Sequence, residues 1–203
     1  MNLLFSPSFT NNLLPYDGEV FLYENLMKET VVLEYFNQLE KNIAWKQEGM
    51  KIYGKQVNFP RLTAWYGDEG KTYKYSGLLN EPLPFTGLLV EIKETVEHLL
   101  GEQFNSALLN FYRDGNDSMG WHSDDEPELG INPTIASVSF GETRNFQFKH
   151  KKIANTLLNF LLTNNSLLVM KGSTQHNWKH QVPKRSKLSG ARINITFRKI
   201  KGL

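Results

Sequence analysis

The chain contains no cysteine, which removes disulfides, thiolate nucleophiles and cysteine-ligated zinc or iron–sulfur centres in one step. Any metal it binds must be held by His, Asp or Glu. It has no apolar run long enough to span a membrane, and Met1 to Thr10 lacks the basic segment followed by an apolar stretch that marks a secretory leader. The expectation is an intracellular protein that uses no membrane, cytoplasmic in a bacterium, with the nucleus open in a eukaryote. Internal repeats, low-complexity tracts and Pro/Gly/Ser-rich linkers are also missing, so the 203 residues read as one domain. An excess of one charge is missing too. The formal net charge is +2, and any affinity for nucleic acid has to come from local patches.

What is present is enough apolar material for a sizeable core, 40% hydrophobic with 12% aromatic. Val31, Val32, Tyr35, Phe36, Leu39 and Ile43 recur at near-helical spacing and predict an amphipathic helix over Glu24 to Lys41, with Trp45 starting a return strand. Met50 to Gln56 alternates around Gly54 and predicts a hairpin with its tip at Tyr53 and Gly54. Pro60 to Ser76 reads as short aromatic-rich strands broken at Gly67 and Gly70. A second helix is predicted over Leu88 to Leu100, with Gly101 just past its end. After it the texture is all-β, with strands expected at Ser106 to Arg113, Pro133 to Phe140, Asn145 to Lys149, Leu167 to Lys171, His180 to Val182 and Ala191 to Lys199. The expected class is mainly β with supporting helices (α+β), a sandwich or roll backed on one side.

The last of these strands has two chemical faces. Ile193, Ile195 and Phe197 fall on one side and Arg192, Asn194, Thr196 and Arg198 on the other, because side chains alternate along a strand. Read alone, the polar side fits a half-exposed strand. It also fits a receptor for a small dianion, since each guanidinium can fork onto a carboxylate. Upstream, His122 and Asp124 stand two apart and share one face of an extended segment, and His180 lies 58 residues further on. Two imidazoles and one carboxylate on one face of a metal leave open the positions that a non-haem Fe(II) oxygenase needs. Such an iron commonly takes 2-oxoglutarate, which carries a carboxylate at each end. Asn110 and Tyr112 share a face of the strand Ser106 to Arg113 and can complete the same polar pocket. His176 is the rival of His180. His98 and His150 are expected to face solvent. Basic residues gather at Lys46, Lys51 and Lys55, at Arg144, Lys149, Lys151 and Lys152, and at Lys184, Arg185 and Lys187.

Taken together, Pro60-Arg61, Tyr66-Gly67-Asp68, Tyr73 to Gly77, Asn110-Phe111-Tyr112, His122 to Glu126, Ile135 to Gly141, His180 to Pro183 and Arg192 to Arg198 resemble the AlkB family of Fe(II)- and 2-oxoglutarate-dependent nucleic-acid dealkylases. The resemblance covers about three-quarters of the chain, from Ile52 to Ile200. It implies a double-stranded β-helix, or jelly roll, over residues 106–200, a nucleotide-recognition region over 51–105 and an amino-terminal extension with a helix over 1–50. It implies that His122, Asp124 and His180 bind Fe(II). Arg192 would hold the distal carboxylate of 2-oxoglutarate and Arg198 the one near the iron, with Asn110, Tyr112, Asn194 and Thr196 lining the pocket. Tyr75, Ser76, Asp125 and Glu126 match positions that contact a flipped base, and Tyr53 matches a wedge at the hairpin tip. The implied activity is oxidative demethylation with O2, as on 1-methyladenine or 3-methylcytosine, releasing formaldehyde, succinate and CO2. The implied partner is alkylated DNA, with RNA left open, and the expected state is a monomer. Two other readings stand beside it: an oxygenase of the same chemistry acting on a protein or small molecule, and a catalytically silent nucleic-acid-binding module.

Overall fold

The computed structural model of the protein describes residues 11–52, 54–70, 73–75, 78–187 and 190–201. In chain order the strands are β1 (Glu19–Tyr23), β2 (Gly49–Ile52), β3 (Lys55–Asn58), β4 (Leu62–Gly67), β5 (Tyr73–Tyr75), β6 (Leu78–Asn80), β7 (Ser106–Tyr112), β8 (Met119–His122), β9 (Ile135–Gly141), β10 (Arg144–His150), β11 (Leu158–Leu162), β12 (Ser166–Lys171), β13 (Trp178–Val182) and β14 (Arg192–Arg198). The helices are α1 (Glu29–Asn42), α2 (Gly87–Leu100) and the short α3 (Thr174–Asn177).

Six strands form one antiparallel sheet in the order β1-β12-β9-β14-β7-β4, and four form a second in the order β11-β10-β13-β8. The two sheets make the expected jelly roll, with hairpins β2-β3 and β5-β6 outside it. Strand β10 alternates buried and half-buried residues along its whole length, the mark of a sheet with one covered face. Strand β14 is buried at all seven positions because α1 and α2 cover one side of its sheet and the smaller sheet lies over the other.

The apolar side of β14 seeds the larger core. Ile193, Ile195 and Phe197 meet Leu109 of β7, Val32 and Leu39 of α1, and Leu89, Ile92 and Val96 of α2. Helix α2 starts where the Thr86 hydroxyl accepts the Leu89 amide and ends at Gly101, whose φ of 66° suits glycine. A second core between the sheets gathers Tyr112, Ile135, Phe146, Phe148, Leu168, Met170 and Trp178.

Several elements differ from expectation. Helix α1 starts at Glu29 rather than Glu24, because Asn25 is left-handed (φ 56°) and Asn165 binds the chain just after it. The Asn165 carbonyl accepts from Leu26 N–H, its side-chain oxygen accepts from Met27 N–H, and its amide donates to Met27 O. Trp45 starts no strand; it stacks on Phe111, and Lys46 makes a lone bridge to Thr63. Strands β1 and β11 are additions, each recruited to a sheet edge by pairing with β12 or β10. His98 and His176 are exposed as expected or compatible with solvent, but His150 is buried. It ends β10 on the inward side, with Nδ1 accepting the amides of Lys152 and Ile153 and the ring edge-on to Trp178. No helix among the described residues is long and apolar enough to cross a membrane.

Arg144 also leaves the basic surface to which its sequence neighbours belong. It is 1% exposed. Nη1 donates to Asp114 O, and Nη2 donates to Asp117 O and Pro183 O, so the guanidinium pins the turn after β7 to the chain leaving β13.

The burial of β14 yields a direct test. Ile195→Ala removes a fully buried side chain at the centre of the larger core, and urea denaturation should show a loss of about 2–5 kcal/mol.

Candidate active site

The polar side of β14 faces the interior, between the sheets. Arg192 is 1%, Asn194 6%, Thr196 7% and Arg198 9% exposed, so the half-exposed reading of this strand does not hold. Opposite them, His122 closes β8 and His180 sits inside β13, and the two are paired partners across the smaller sheet. Asp124 follows two residues after β8 ends. One ligand atom from each of His122, Asp124 and His180 lies within 4.8 Å of the others, a group that can hold a metal ion.

The donor chemistry suits a cation. His122 Nδ1 lies 2.8 Å from Gly120 O, and a carbonyl only accepts, so Nδ1 carries the proton and the Nε2 lone pair is available. His180 Nε2 faces Asp124 Oδ2 at 3.9 Å. Burial pushes His180 down to about 3, helped by its neighbour His122, and burial also lowers His122. Both imidazoles are therefore neutral at pH 7, the form a metal needs. Burial by itself would push the Asp124 carboxyl up. Arg198, donating to Oδ1 at 2.6 Å, and the two imidazoles outweigh it and hold the group below the usual carboxylate range.

A cavity of about 370 Å³, counting the space open to solvent, joins the three residues to the polar stripe. Asn110, Tyr112, Asn194, Thr196 and Arg198 line it, with apolar walls from Met119, Phe146, Met170 and Val182. Arg192, against the Tyr112 wall of this cavity, donates Nη2 to Ser139 Oγ at 2.9 Å and lies over the Tyr112 ring at 5.2 Å. Apart from that tyrosine side chain, its Nε and Nη1 meet no hydrogen-bond acceptor among the described residues. Burial lowers the guanidinium to about 10, which leaves it charged at neutral pH. A larger cavity of about 780 Å³ lies beside the first and shares Arg198; Trp65, Leu83, Leu108, Lys46 and Glu48 are among its walls.

The structure thus brings together nine of the residues singled out from sequence: His122, Asp124, His180, Asn110, Tyr112, Arg192, Asn194, Thr196 and Arg198. Asp125 is exposed and pairs with Lys151 at 2.9 Å, and Glu126 is half-buried, its Oε2 enclosed with no hydrogen-bond partner among the described residues. Tyr53 and Ser76 lie outside the described residues. Tyr75 lies in β5, and its side chain is likewise outside them. Three contributors went unassigned in the sequence. Ser139 receives Arg192, Ser137 receives Asn194 at 2.7 Å, and Arg61 donates Nε to Asn110 Oδ1 at 2.7 Å. The alternation Ile135-Ala136-Ser137-Val138-Ser139 was the available signal for the serines, since both share the inward face of β9.

A jelly roll that holds a His-x-Asp pair, a distant His and a buried arginine stripe between its sheets has the architecture of a 2-oxoglutarate- and Fe(II)-dependent oxygenase. Residues 19–198 match the model of the 2OG-Fe(II) oxygenase superfamily. The chain is 39% identical over 177 residues to the DNA oxidative demethylase ALKBH2 of Bos taurus, covering 82% of this chain and 64% of that protein. To the human ALKBH2 it is 40% identical over 177 residues, covering 82% and 68%. To the alpha-ketoglutarate-dependent dioxygenase alkB homolog 3 of Mus musculus it is 39% identical over 207 residues, covering 96% and 68%. The chain thus spans about two-thirds of the length of these relatives. The solved structure of OsALKBH1 shares the fold, with a TM-score of 0.66 at 15% identity over 89% of this chain and 96% of that one. The chain belongs to the AlkB family within that superfamily. Membership brings Fe(II), 2-oxoglutarate and O2 as its cofactors and co-substrates.

The residues present fit those groups. A neutral His pair and an ionised carboxylate suit Fe(II), and the unsatisfied donors of a buried guanidinium suit a carboxylate. Metal-free protein should therefore be stabilised by 2-oxoglutarate, by about 2.7 kcal/mol at a hundredfold excess over its Kd. Arg192→Lys keeps the charge but loses the planar fork, so the same denaturation series should show a smaller gain.

Proposed function

We propose that the protein is an Fe(II)- and 2-oxoglutarate-dependent oxidative demethylase of N-alkylated bases in DNA, with 1-methyladenine and 3-methylcytosine as representative lesions. The observation that carries this is one continuous polar cleft. Three metal-competent side chains line it, and against its Tyr112 wall lies a buried arginine whose Nε and Nη1 find no acceptor other than that tyrosine among the described residues. Relatives named as DNA oxidative demethylases supply the substrate class.

In this reading His122, Asp124 and His180 hold the iron. Arg192 takes the distal carboxylate of 2-oxoglutarate against Tyr112, and Arg198 takes the proximal one while keeping its bond to Asp124. Asn110, Asn194 and Thr196 form the polar wall between them. Asn194 is itself locked, donating to Ser137 Oγ and Val138 O and accepting from Thr196 Oγ1, so the wall is pre-organised. Iron held by these residues would supply the oxidising chemistry, in which 2-oxoglutarate and O2 give succinate and CO2 and the N-methyl carbon is hydroxylated. The hydroxymethyl product loses formaldehyde and leaves the unmodified base. The chain's task is to place that methyl group and exclude water.

N-methylation at the Watson–Crick edge makes these bases cationic, and acidic readers suit them. The enclosed Oε2 of Glu126 is an acceptor without a donor among the described residues, and Asp125 lies next to it in sequence. Tyr75 and Ser76 contact the extruded base, and Tyr53 fills its place in the stack. Lys46, Lys51, Lys55, Lys152, Lys184 and Arg185 are exposed, as phosphate contacts require. The same contacts admit RNA, and the protein acts as a monomer.

Purified protein with Fe(II), ascorbate and 2-oxoglutarate should remove the methyl mass from 1-methyladenine and 3-methylcytosine oligonucleotides and release formaldehyde. Turnover of none of them by folded protein overturns the assignment. Asp124→Ala should abolish both metal binding and turnover. Tyr53→Ala should slow duplex substrates more than single strands, and an equal loss on both removes the wedge role.

A further inference from the structure

We infer that Gln175 is a positioning residue for the metal site, acting through the main chain of Asp124 and held in place by Lys151. The inference rests on the assignment of His122, Asp124 and His180 as the metal ligands. It arises from a gap in the smaller sheet. Strand β8 ends at His122, its last residue paired with β13, and its register with β13 already shifts between Met119 and His122. Asp124 therefore sits outside the ladder while being buried, and its amide needs a partner that no neighbouring strand supplies.

Gln175 is that partner. It lies in α3, the single helical turn between β12 and β13, and is completely buried. Its Oε1 accepts the Asp124 amide at 2.9 Å, and its Nε2 points at Met170 Sδ at 3.3 Å, a wall of the polar cavity. Its own carbonyl accepts Lys151 Nζ at 2.8 Å. The same ammonium reaches Asp125 Oδ2 at 2.9 Å, and the Lys151 amide donates to Asn177 O at 2.7 Å. Ser123 closes the frame by donating Oγ to Trp178 O. The segment 123–125 is thus fastened from three sides by groups that replace the missing ladder. Asp124 is held at both ends, its main chain by Gln175 and its carboxylate by Arg198.

A carboxylate ligand fixed only by Arg198 could pivot about its backbone, and outer-shell partners that stop such motion typically change metal affinity by roughly 10–100-fold. Lys151 has a second consequence. Its sequence neighbours suggest a phosphate contact, but here its ammonium is committed to the frame behind the metal.

Co(II) is the probe, read by calorimetry and by its visible ligand-field spectrum. Wild-type protein should bind one Co(II) and Asp124→Ala should not; equal binding by both overturns the ligand assignment itself. Gln175→Met keeps the volume and removes the acceptor, and should weaken Co(II) binding roughly tenfold or more and alter the ligand-field bands. Gln175→Glu retains an acceptor oxygen and should restore the wild-type spectrum. A folded Gln175→Met protein with wild-type affinity and spectrum overturns the positioning role while leaving the ligand assignment intact. Hydrogen exchange of metal-free wild type gives an arm that needs no variant to fold. The Asp124 amide should exchange far more slowly than the Asp125 amide, and equal rates overturn the inference.

Discussion

The contact between Arg198 and Asp124 joins the two sheets at the end where the site opens. Arg198 is the last residue of β14, one of the two central strands of the six-stranded sheet, and Asp124 extends from the edge of the four-stranded one. Both are buried, and desolvating two charges is repaid only where geometry is good and the remaining polar atoms are satisfied. Here the carboxylate also faces two imidazoles and its main chain is bonded to Gln175. The pair holds the Asp124 carboxyl below the usual carboxylate range in a place where burial alone would push it up. A cation between Asp124 and the neutral histidines then completes a charge arrangement that the fold has already set up.

The interior holds two further arginines that flank the same tyrosine and do different work. Arg144 and Arg192 lie 5.5 and 5.2 Å from the Tyr112 ring, and each is 1% exposed. Arg144 donates to three main-chain carbonyls and acts as a structural pin. Arg192 donates to one serine hydroxyl and keeps donors in reserve. The difference lies in what surrounds each guanidinium: three main-chain carbonyls for Arg144, one serine hydroxyl and the Tyr112 side chain for Arg192. Burial is the main cause that lowers Arg192, and the neighbouring Arg144 cation adds to it.

Much of this was legible along the chain. The alternation in Arg192 to Arg198 set its two faces, the stripe Leu89, Ile92, Val96 with Gly101 set α2, and His122, Asp124 and His180 stood out by residue type and by resemblance to a family. Periodicity reports which side chains share a face, and that is a local property. Elements with little periodic signal were not legible. Strands β1 and β11 exist because a partner edge recruits them, and the start of α1 is decided by Asn165, which lies 137 positions after Lys28.

The sequence by itself determined the composition of each face and the set of groups able to bind a metal and a dianion. It could not determine what lies over a face, because burial is a relation between segments far apart in the chain. The tertiary structure made the polar side of β14 an interior wall instead of a wet surface. It turned Arg144 and His150 inward from a stretch that looks like a basic turn. It also placed Gln175, unremarkable in its own segment, against the Asp124 amide, which lies beyond the end of its strand.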